Sequence, residues 1–283
     1  MKRNKIVFSV LMLTMGLSLM SCVSNKTKNN KIEFDKLEIN EKVFLLQEND
    51  TTLPYSDVKL EFTFPVKFNN NEDLERLQQI FTGTFFNDES YDTLSPKDAL
   101  NEYFSHYTAE YQTLTGQYYK DKESLESDQM PSWYWYYHYK TNEILFHDNN
   151  IVSYSVEHSD YTGGAHGSLN ALYYIIDLNN LTTITEEDIF KPNYHHFLTS
   201  KIIEMLMKKH DVAEADELMG EGFFDINEIA PNNNFWINNE GVHYVYNQYE
   251  IAPYSMGPIE IAIPFEEITP IIIPESIAGE YIK

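Results

Sequence analysis

The feature that most limits what this chain can fold into is a series of short aromatic and β-branched runs between residues 132 and 177. Asn, Gly and Asp residues separate the runs, a pattern that indicates strands joined by tight turns. We predict antiparallel strands at residues 133–140, 143–148, 151–158 and 169–177, and shorter ones at 235–237, 242–246 and 259–263. Because the strands cluster instead of alternating with long helices, the sequence predicts an α+β fold with a mostly antiparallel sheet and packed helices.

Three segments carry apolar residues at helical spacing. The best marked begins after Ser95, which can cap the helix, with Pro96 at the first helical position and Asp98 completing a variant capping box. A second helix is predicted after Asn71 as its cap, and a third over residues 194–209.

The first 22 residues have the order of an export signal, with basic Lys2, Arg3 and Lys5, an apolar run at 6–20, and a small residue before Cys22. Residues 19–22, Leu-Met-Ser-Cys, resemble the lipobox of bacterial lipoproteins, in which the cysteine thiol takes the lipid. We predict a signal peptide at 1–21, a lipid on Cys22 and a flexible tether over 22–40. No later stretch has the roughly 20 apolar residues that a membrane span needs, so the lipid would be the membrane attachment.

Cys22 is the only cysteine of the chain, which excludes an intrachain disulfide and a catalytic thiol and leaves the domain to depend on its core. The net charge of −24 becomes −27 when the three basic residues of the signal are removed. Such a charge repels nucleic acid and favours cationic partners. Arg76 is then the only arginine, so bidentate phosphate clamps are nearly unavailable and nucleotide chemistry is disfavoured.

Residues 161–167, Tyr-Thr-Gly-Gly-Ala-His-Gly, form the most unusual local segment. Three glycines in five residues allow positive φ or a close approach of another group to the backbone. We favour a sharp connection, the commoner role of such glycines. The alternative is an amide-lined pocket at Gly163 and Gly164, with His166 as a ligand, acid or base.

Other patterns point away from catalysis and metal binding. His158, Asp160 and His166 lie close together, but their spacing matches no known metal motif, and we predict neither a metal site nor a cofactor. Gly-x-Ser-x-Gly and Ser-x-x-Lys do not occur near a convincing strand-turn-helix, so no catalytic residue is assigned. The aromatic run at 133–139 predicts one set of alternate rings in the core and the other at the surface.

Two segments resemble one bacterial family. Residues 161–167 are similar to the Gly-Gly-Ala-His turn of an extracytoplasmic domain that accompanies a peptidoglycan deacetylase and occurs in an anti-sigma factor that senses lysozyme. Residues 246–257, followed by Ile-Pro-Phe at 263–265, are similar to the C-terminal signature of the companion domain in the same factor. The chain therefore resembles the tandem domains of the lysozyme-sensing anti-sigma-V factor family.

This resemblance implies two small α+β subdomains in tandem, at 41–167 and 168–283. It also implies a set of binding residues in the two segments, namely Tyr161, Gly163, Gly164, His166, Tyr249, Pro253 and Tyr254. The deacetylase's metal-binding catalytic domain has no counterpart in the sequence, so the resemblance does not imply deacetylase activity.

Two functions follow as hypotheses. The first is a non-catalytic lipoprotein of the cell envelope that binds a macromolecule, either a cationic protein such as lysozyme or a cell-wall component. The alternative is a hydrolase of peptidoglycan or glycan that uses His166 and a nearby carboxylate. Val23 after Cys22 favours the outer membrane, with the domain facing the periplasm.

Overall fold

The computed structural model describes residues 30–125 and 131–282, so the predicted signal peptide, Cys22 and the start of the tether lie outside it. The described strands form a six-stranded sheet and a three-stranded sheet. The larger sheet contains β1 Glu33–Phe44, β2 Tyr55–Lys67, β3 Tyr136–His147, β4 Ile151–Tyr161, β5 Ser168–Asp177 and β6 Thr182–Thr183. The smaller sheet contains β7 Phe235–Ile237, β8 Gly241–Tyr246 and β9 Ile259–Pro264.

Six α-helices occur in the described residues, and none of them is both long and apolar enough to cross a membrane. They are α1 Asn71–Phe86, α2 Pro96–Gln112, α3 Thr115–Ser124, α4 Glu186–Ile189, α5 His195–His210 and α6 Phe265–Ile268. The predicted cap of α2 is confirmed, since the side chain of Ser95 accepts a hydrogen bond from the backbone of Asp98 at 3.2 Å. The cap of α1 is Asn70 and not the predicted Asn71, because it is Asn70 Oδ1 that accepts from the backbone of Asp73.

The strands of the larger sheet lie in the order β1-β2-β3-β4-β5-β6, and every neighbouring pair is antiparallel except β2 and β3. Helices α1, α2 and α3 connect β2 to β3, which gives the long crossover that a parallel pair needs. The helices cover one face of the sheet. On this face Phe62 stacks on Phe85, and Phe81 on Tyr154, each with ring centroids 4.5 Å apart.

A second core joins the smaller sheet, α5 and the opposite face of β4 and β5. Leu198, Ile202 and Leu206 of α5 are buried there at the spacing of one helix face. The predicted strands at 235–237, 242–246 and 259–263 are confirmed. The predicted α+β fold with a mostly antiparallel sheet is therefore confirmed.

Two boundaries differ from the predictions. The predicted tether to residue 40 is too long, because β1 begins at Glu33 and pairs along its whole length with β2. The predicted strands at 133–140 and 143–148 are the single strand β3. Beyond its ladder with β2, the side-chain amide of Asn142 continues the pairing by binding the backbone N–H and C=O of Thr63.

The predicted division at residue 167 falls between β4 and β5, which are neighbours in one sheet. The free edge of β5 is then joined to the smaller sheet by side chains. The side chain of Asn247 accepts from the backbone N–H of Ala171 and donates to its carbonyl, while Asn234 accepts from the N–H of Tyr173 and also donates to Ala171. This asparagine seam fixes the β4–β5 turn next to the segment between β8 and β9.

Candidate functional site

The two segments that carried the family resemblance meet on the surface. The ring of His166, from the β4–β5 turn, stacks on Tyr254, from the β8–β9 segment, with centroids 4.0 Å apart and planes at 26°. The Tyr249 hydroxyl lies 3.3 Å from Nε2 of His166. His166 thus contacts Tyr249 and Tyr254, which follow it by more than 80 positions, and all three are among the seven predicted binding residues.

The β4–β5 turn owes its shape to its glycines. Gly163 and Gly164 have φ values of +90° and +109°, which side chains rarely allow. Tyr161 closes the turn by donating from its hydroxyl to the carbonyl of Gly164 at 2.9 Å. The carbonyl oxygen of Trp133 lies against Gly163, so that position also lacks space for a Cβ.

Gly163→Ala and Gly164→Ala form a matched pair that tests this turn. Both variants strain the backbone, which costs of the order of 1–3 kcal/mol. A Cβ at position 163 would in addition lie 2.9 Å from the Trp133 carbonyl, whereas a Cβ at 164 meets nothing within 4 Å. We expect Gly163→Ala to lower the free energy of unfolding in urea by about 1 kcal/mol more than Gly164→Ala. Equal losses would mean that the contact with Trp133 does not constrain the turn.

The β8–β9 segment is held in an uncommon conformation. Tyr249 has a φ of +68°, although it is not a glycine, and its N–H donates to the carbonyl of Ala252 at 3.0 Å. Gln248 links the segment to the start of β5. Its side chain accepts from the Leu169 N–H and donates to the Tyr254 carbonyl, each at 3.3 Å. Pro253, with φ of −67°, starts the short turn that contains Tyr254. These bonds hold the backbone at Tyr249 and Tyr254.

The two ring nitrogens of His166 both have partners. Nδ1 lies 2.8 Å from the carbonyl of Gly167, which can only accept, so Nδ1 carries the hydrogen. In the neutral ring Nε2 then accepts from the Tyr249 hydroxyl. These partners are a carbonyl and a phenol, neither of which supplies the carboxylate that the hydrolase hypothesis requires. The arrangement suits stacking and hydrogen bonding at a surface.

We use the name aromatic surface for Trp133, His166, Tyr249 and Tyr254. Tyr249 is 56% exposed and Trp133 is 42% exposed, both unusually high for aromatic residues. Trp133 belongs to this surface because its backbone and Cβ contact Gly163 of the turn. The aromatic run at 133–139 splits as predicted: Tyr134 is buried, whereas Tyr137 and Tyr139 stack on the sheet face away from α2.

Comparisons with known proteins agree with this two-part structure. A family model described as Deacetylase PdaC matches residues 86–169, and one described as a protein of unknown function, DUF3298, matches residues 187–266. The crystal structure of a DUF3298 family member from Bacteroides fragilis shares 32% identity with this chain, with a TM-score of 0.83. The alignment covers 90% of this chain and 98% of that one. This chain belongs to the DUF3298 family.

The predicted tandem of a deacetylase-associated domain and its companion is therefore confirmed at the level of the two family matches. A second DUF3298 family structure, from Pseudomonas aeruginosa, has 14% identity and a TM-score of 0.60, over 87% of this chain and 96% of that one, and shows the shared fold. No curated protein matches the chain.

Sequence reasoning missed a buried basic cluster in this DUF3298 protein. Lys140, His138 and His158 lie on the helix-covered face of β3 and β4, next to Tyr103 of α2. His138 Nε2 is 2.9 Å from the Tyr103 hydroxyl, and its Nδ1 is 3.2 Å from Nε2 of His158. Counting alternate residues from buried Tyr134 could have placed Lys140 on this face. The sequence could not have shown that α2 covers the face.

Burial controls the charges in this cluster. It lowers the pKa of Lys140 from 10.5 to about 8, and it lowers the pKa of His138 and His158, with their neighbouring cations adding to the effect. The Lys140 ammonium lies over the rings of Tyr103 and Phe85, at 5.2 and 5.7 Å, and has no ion pair within the described residues. Across the described residues, no three His, Cys, Asp or Glu side chains converge as metal ligands.

Proposed function

We propose that this protein is a non-catalytic lipoprotein of the cell envelope whose aromatic surface binds a macromolecular partner. The observation that carries the proposal is the stack of His166 on Tyr254 beside exposed Tyr249. Aromatic rings that are fixed in advance and left exposed bind with little loss of conformational entropy, which is why they dominate interface hot spots.

The charge of the chain supports a cationic partner. With a net charge of −24 it attracts basic proteins over long range and speeds their encounter, an effect that salt screens. Lysozyme is the basic protein that the family resemblance suggests, and a cell-wall component is the other candidate. The proposed lipid on Cys22 would hold the domain at the outer membrane, facing the periplasm.

Removing exposed Tyr249 together with half-buried Tyr254 tests the aromatic surface. We expect the purified protein to bind lysozyme at low salt, and Tyr249→Ser combined with Tyr254→Ser to weaken this binding at least roughly tenfold in calorimetry. Tyr119→Ser is the matched control, because Tyr119 is 52% exposed but lies on α3, outside this surface.

Two results would contradict the proposal in different ways. If the unaltered protein did not bind lysozyme at low salt, the lysozyme version would fail, and a pull-down from envelope extract would test for the cell-wall component. If the double variant bound as tightly as the Tyr119→Ser control, the aromatic surface would not be the binding site.

The lipid anchor is tested separately with Cys22→Ser. A serine hydroxyl does not replace the thiol that takes the lipid, so we expect this variant to lose incorporation of labelled palmitate and to leave the membrane fraction. The unaltered chain expressed in parallel is the reference. Retention of Cys22→Ser in the membrane fraction would show that something other than a lipid on this residue holds the protein there.

A further inference from the structure

Strand β1 leaves a long backbone edge without a strand partner. It contains 12 residues and is the terminal strand of the larger sheet, paired only with β2 among the described strands. Proteins usually shorten, cover or kink such an edge, because its free N–H and C=O groups can pair with another chain. An edge of this length is therefore a candidate for binding an added strand.

A groove of about 760 Å³ runs beside this edge, between β1 and α2. Its apolar lining comes from Val43, Phe44 and Leu46 on one side and from Phe104 of α2 on the other. A strand edge next to a helix is the geometry in which peptide-recognition domains add an extended peptide to their sheet, with pockets for alternate side chains.

The pairing edge of β1 ends within the groove, and one polar side chain of the groove has no hydrogen-bond partner among the described residues. Gln112 donates to the carbonyl of Phe44 at 3.4 Å, and Thr115 donates to the carbonyl of Leu45 at 3.1 Å, so the edge ends there. Thr108 lines the groove, and its buried hydroxyl has no hydrogen-bond partner within the described residues. An added strand could therefore pair with β1 only up to Phe44, and Thr108 can be replaced without breaking a hydrogen bond within the described residues.

The charges along β1 favour a basic occupant. The strand has four acidic residues and two lysines, and both lysines are already engaged: Lys36 pairs with Glu38 and Glu61, and Lys42 lies 4.3 Å from the ring of Tyr55. Among the charged residues, Glu41, Glu48 and Lys42 line the groove, so acidic side chains outnumber the single lysine there. Glu33 is also paired, with Lys67, so Asp35 and Glu41 are the acidic residues of β1 that have no ion pair among the described residues and would attract a basic segment.

We propose that β1 and α2 bind an extended basic segment of a partner protein as an additional strand of the sheet. This site is separate from the aromatic surface, which lies at the β4–β5 turn. The two proposals are independent, so either can fail without affecting the other. Backbone pairing to β1 provides the affinity, and apolar side chains of the segment enter the groove.

The probe is an acetylated and amidated peptide of alternating lysine and valine, compared with two methylated versions. One version carries N-methyl groups on the valines and the other on the lysines, so the charge is the same while one backbone edge at a time is blocked. Because only one edge of an added strand faces β1, we expect one methylated peptide to bind at least roughly tenfold more weakly and the other to retain its affinity. Loss in both peptides or in neither would overturn the proposal.

Hydrogen exchange and two variants locate the site. Peptide binding should slow hydrogen exchange of the β1 amides. Thr108→Trp fills the groove and should abolish this protection. Ser105→Trp, on the exposed side of α2, is the control and should leave the protection unchanged. If Thr108→Trp does not fold, Glu41→Lys provides a second test and should weaken binding several-fold by reversing a groove charge. If the β1 amides are instead protected by raising the protein concentration and not by the peptide, the occupant is a second copy and the proposal is wrong.

Discussion

Replacing Lys140 with methionine is expected to make the protein more stable, by about 2 kcal/mol at pH 7. Lys140 is 8% exposed and carries its charge at this pH, although burial lowers its pKa from 10.5 to about 8. That difference in pKa corresponds to a cost of about 3 kcal/mol. Methionine has a similar length and no charge, and it gives up contacts with the rings of Tyr103 and Phe85 worth about 1 kcal/mol.

The lowered pKa of Lys140 also determines how the effect of Lys140→Met on stability changes with pH. Between about pH 8 and 10.5 the unfolded chain holds a proton on Lys140 that the folded chain has released, so the stability of the unaltered protein rises with pH in this range. The advantage of Lys140→Met should therefore shrink when urea unfolding is repeated at alkaline pH. Lys120→Met, at an exposed position, should change little at either pH. If the gain in stability did not vary with pH, its cause would be the packing of methionine and not the removal of a buried charge.

Replacing Glu186 with alanine is expected to have the largest destabilising effect, about 3 kcal/mol. Glu186 is 2% exposed, and its two carboxylate oxygens accept from the Asn233 backbone N–H and the Tyr194 hydroxyl, each at 2.7 Å. Removing the carboxylate leaves the buried Tyr194 hydroxyl and the partly buried Asn233 N–H without this acceptor, and an unsatisfied buried group costs 1–3 kcal/mol.

Neighbouring Glu187 provides the control for this prediction, because it is exposed on the same short helix α4. Glu187→Ala should change the free energy of unfolding by less than about 0.5 kcal/mol. Glu186→Gln keeps one acceptor oxygen and should fall between the two. If Glu186→Ala unfolded at the same urea concentration as Glu187→Ala, the carboxylate would not be the link between α4 and the loop at Asn233.

Local features of the fold could be predicted from the sequence and pairings between distant strands could not. The cap of α2 depends on Ser95, Pro96 and Asp98. Because these residues are near neighbours in the sequence, the cap could be predicted. The parallel pairing of β2 with β3 depends on three intervening helices, and strand patterns carry no sign of it. The length of β3 was also hidden, because the bond between Asn142 and Thr63 joins residues 79 positions apart.

The candidate site shows the same division. The glycines at 163 and 164 predicted a sterically demanding turn, which their φ values confirm. Its contact with the β8–β9 segment was not predicted, since nothing local to His166 indicates that its ring stacks on Tyr254. Of the seven predicted binding residues, Gly163, Gly164 and Pro253 shape the backbone and Tyr161 closes the turn. His166, Tyr249 and Tyr254 present side chains at the surface.

The asparagine seam has a consequence for how the two family segments can be separated. A cut near residue 168 would remove β5 from β4 and would expose the backbone of Ala171 that Asn234 and Asn247 now bind. The six-stranded sheet would be divided and the three-stranded sheet would lose its asparagine bonds to β5, so the two segments should unfold in one cooperative step and not as independent modules. The two family segments are therefore expected to fold as a single unit.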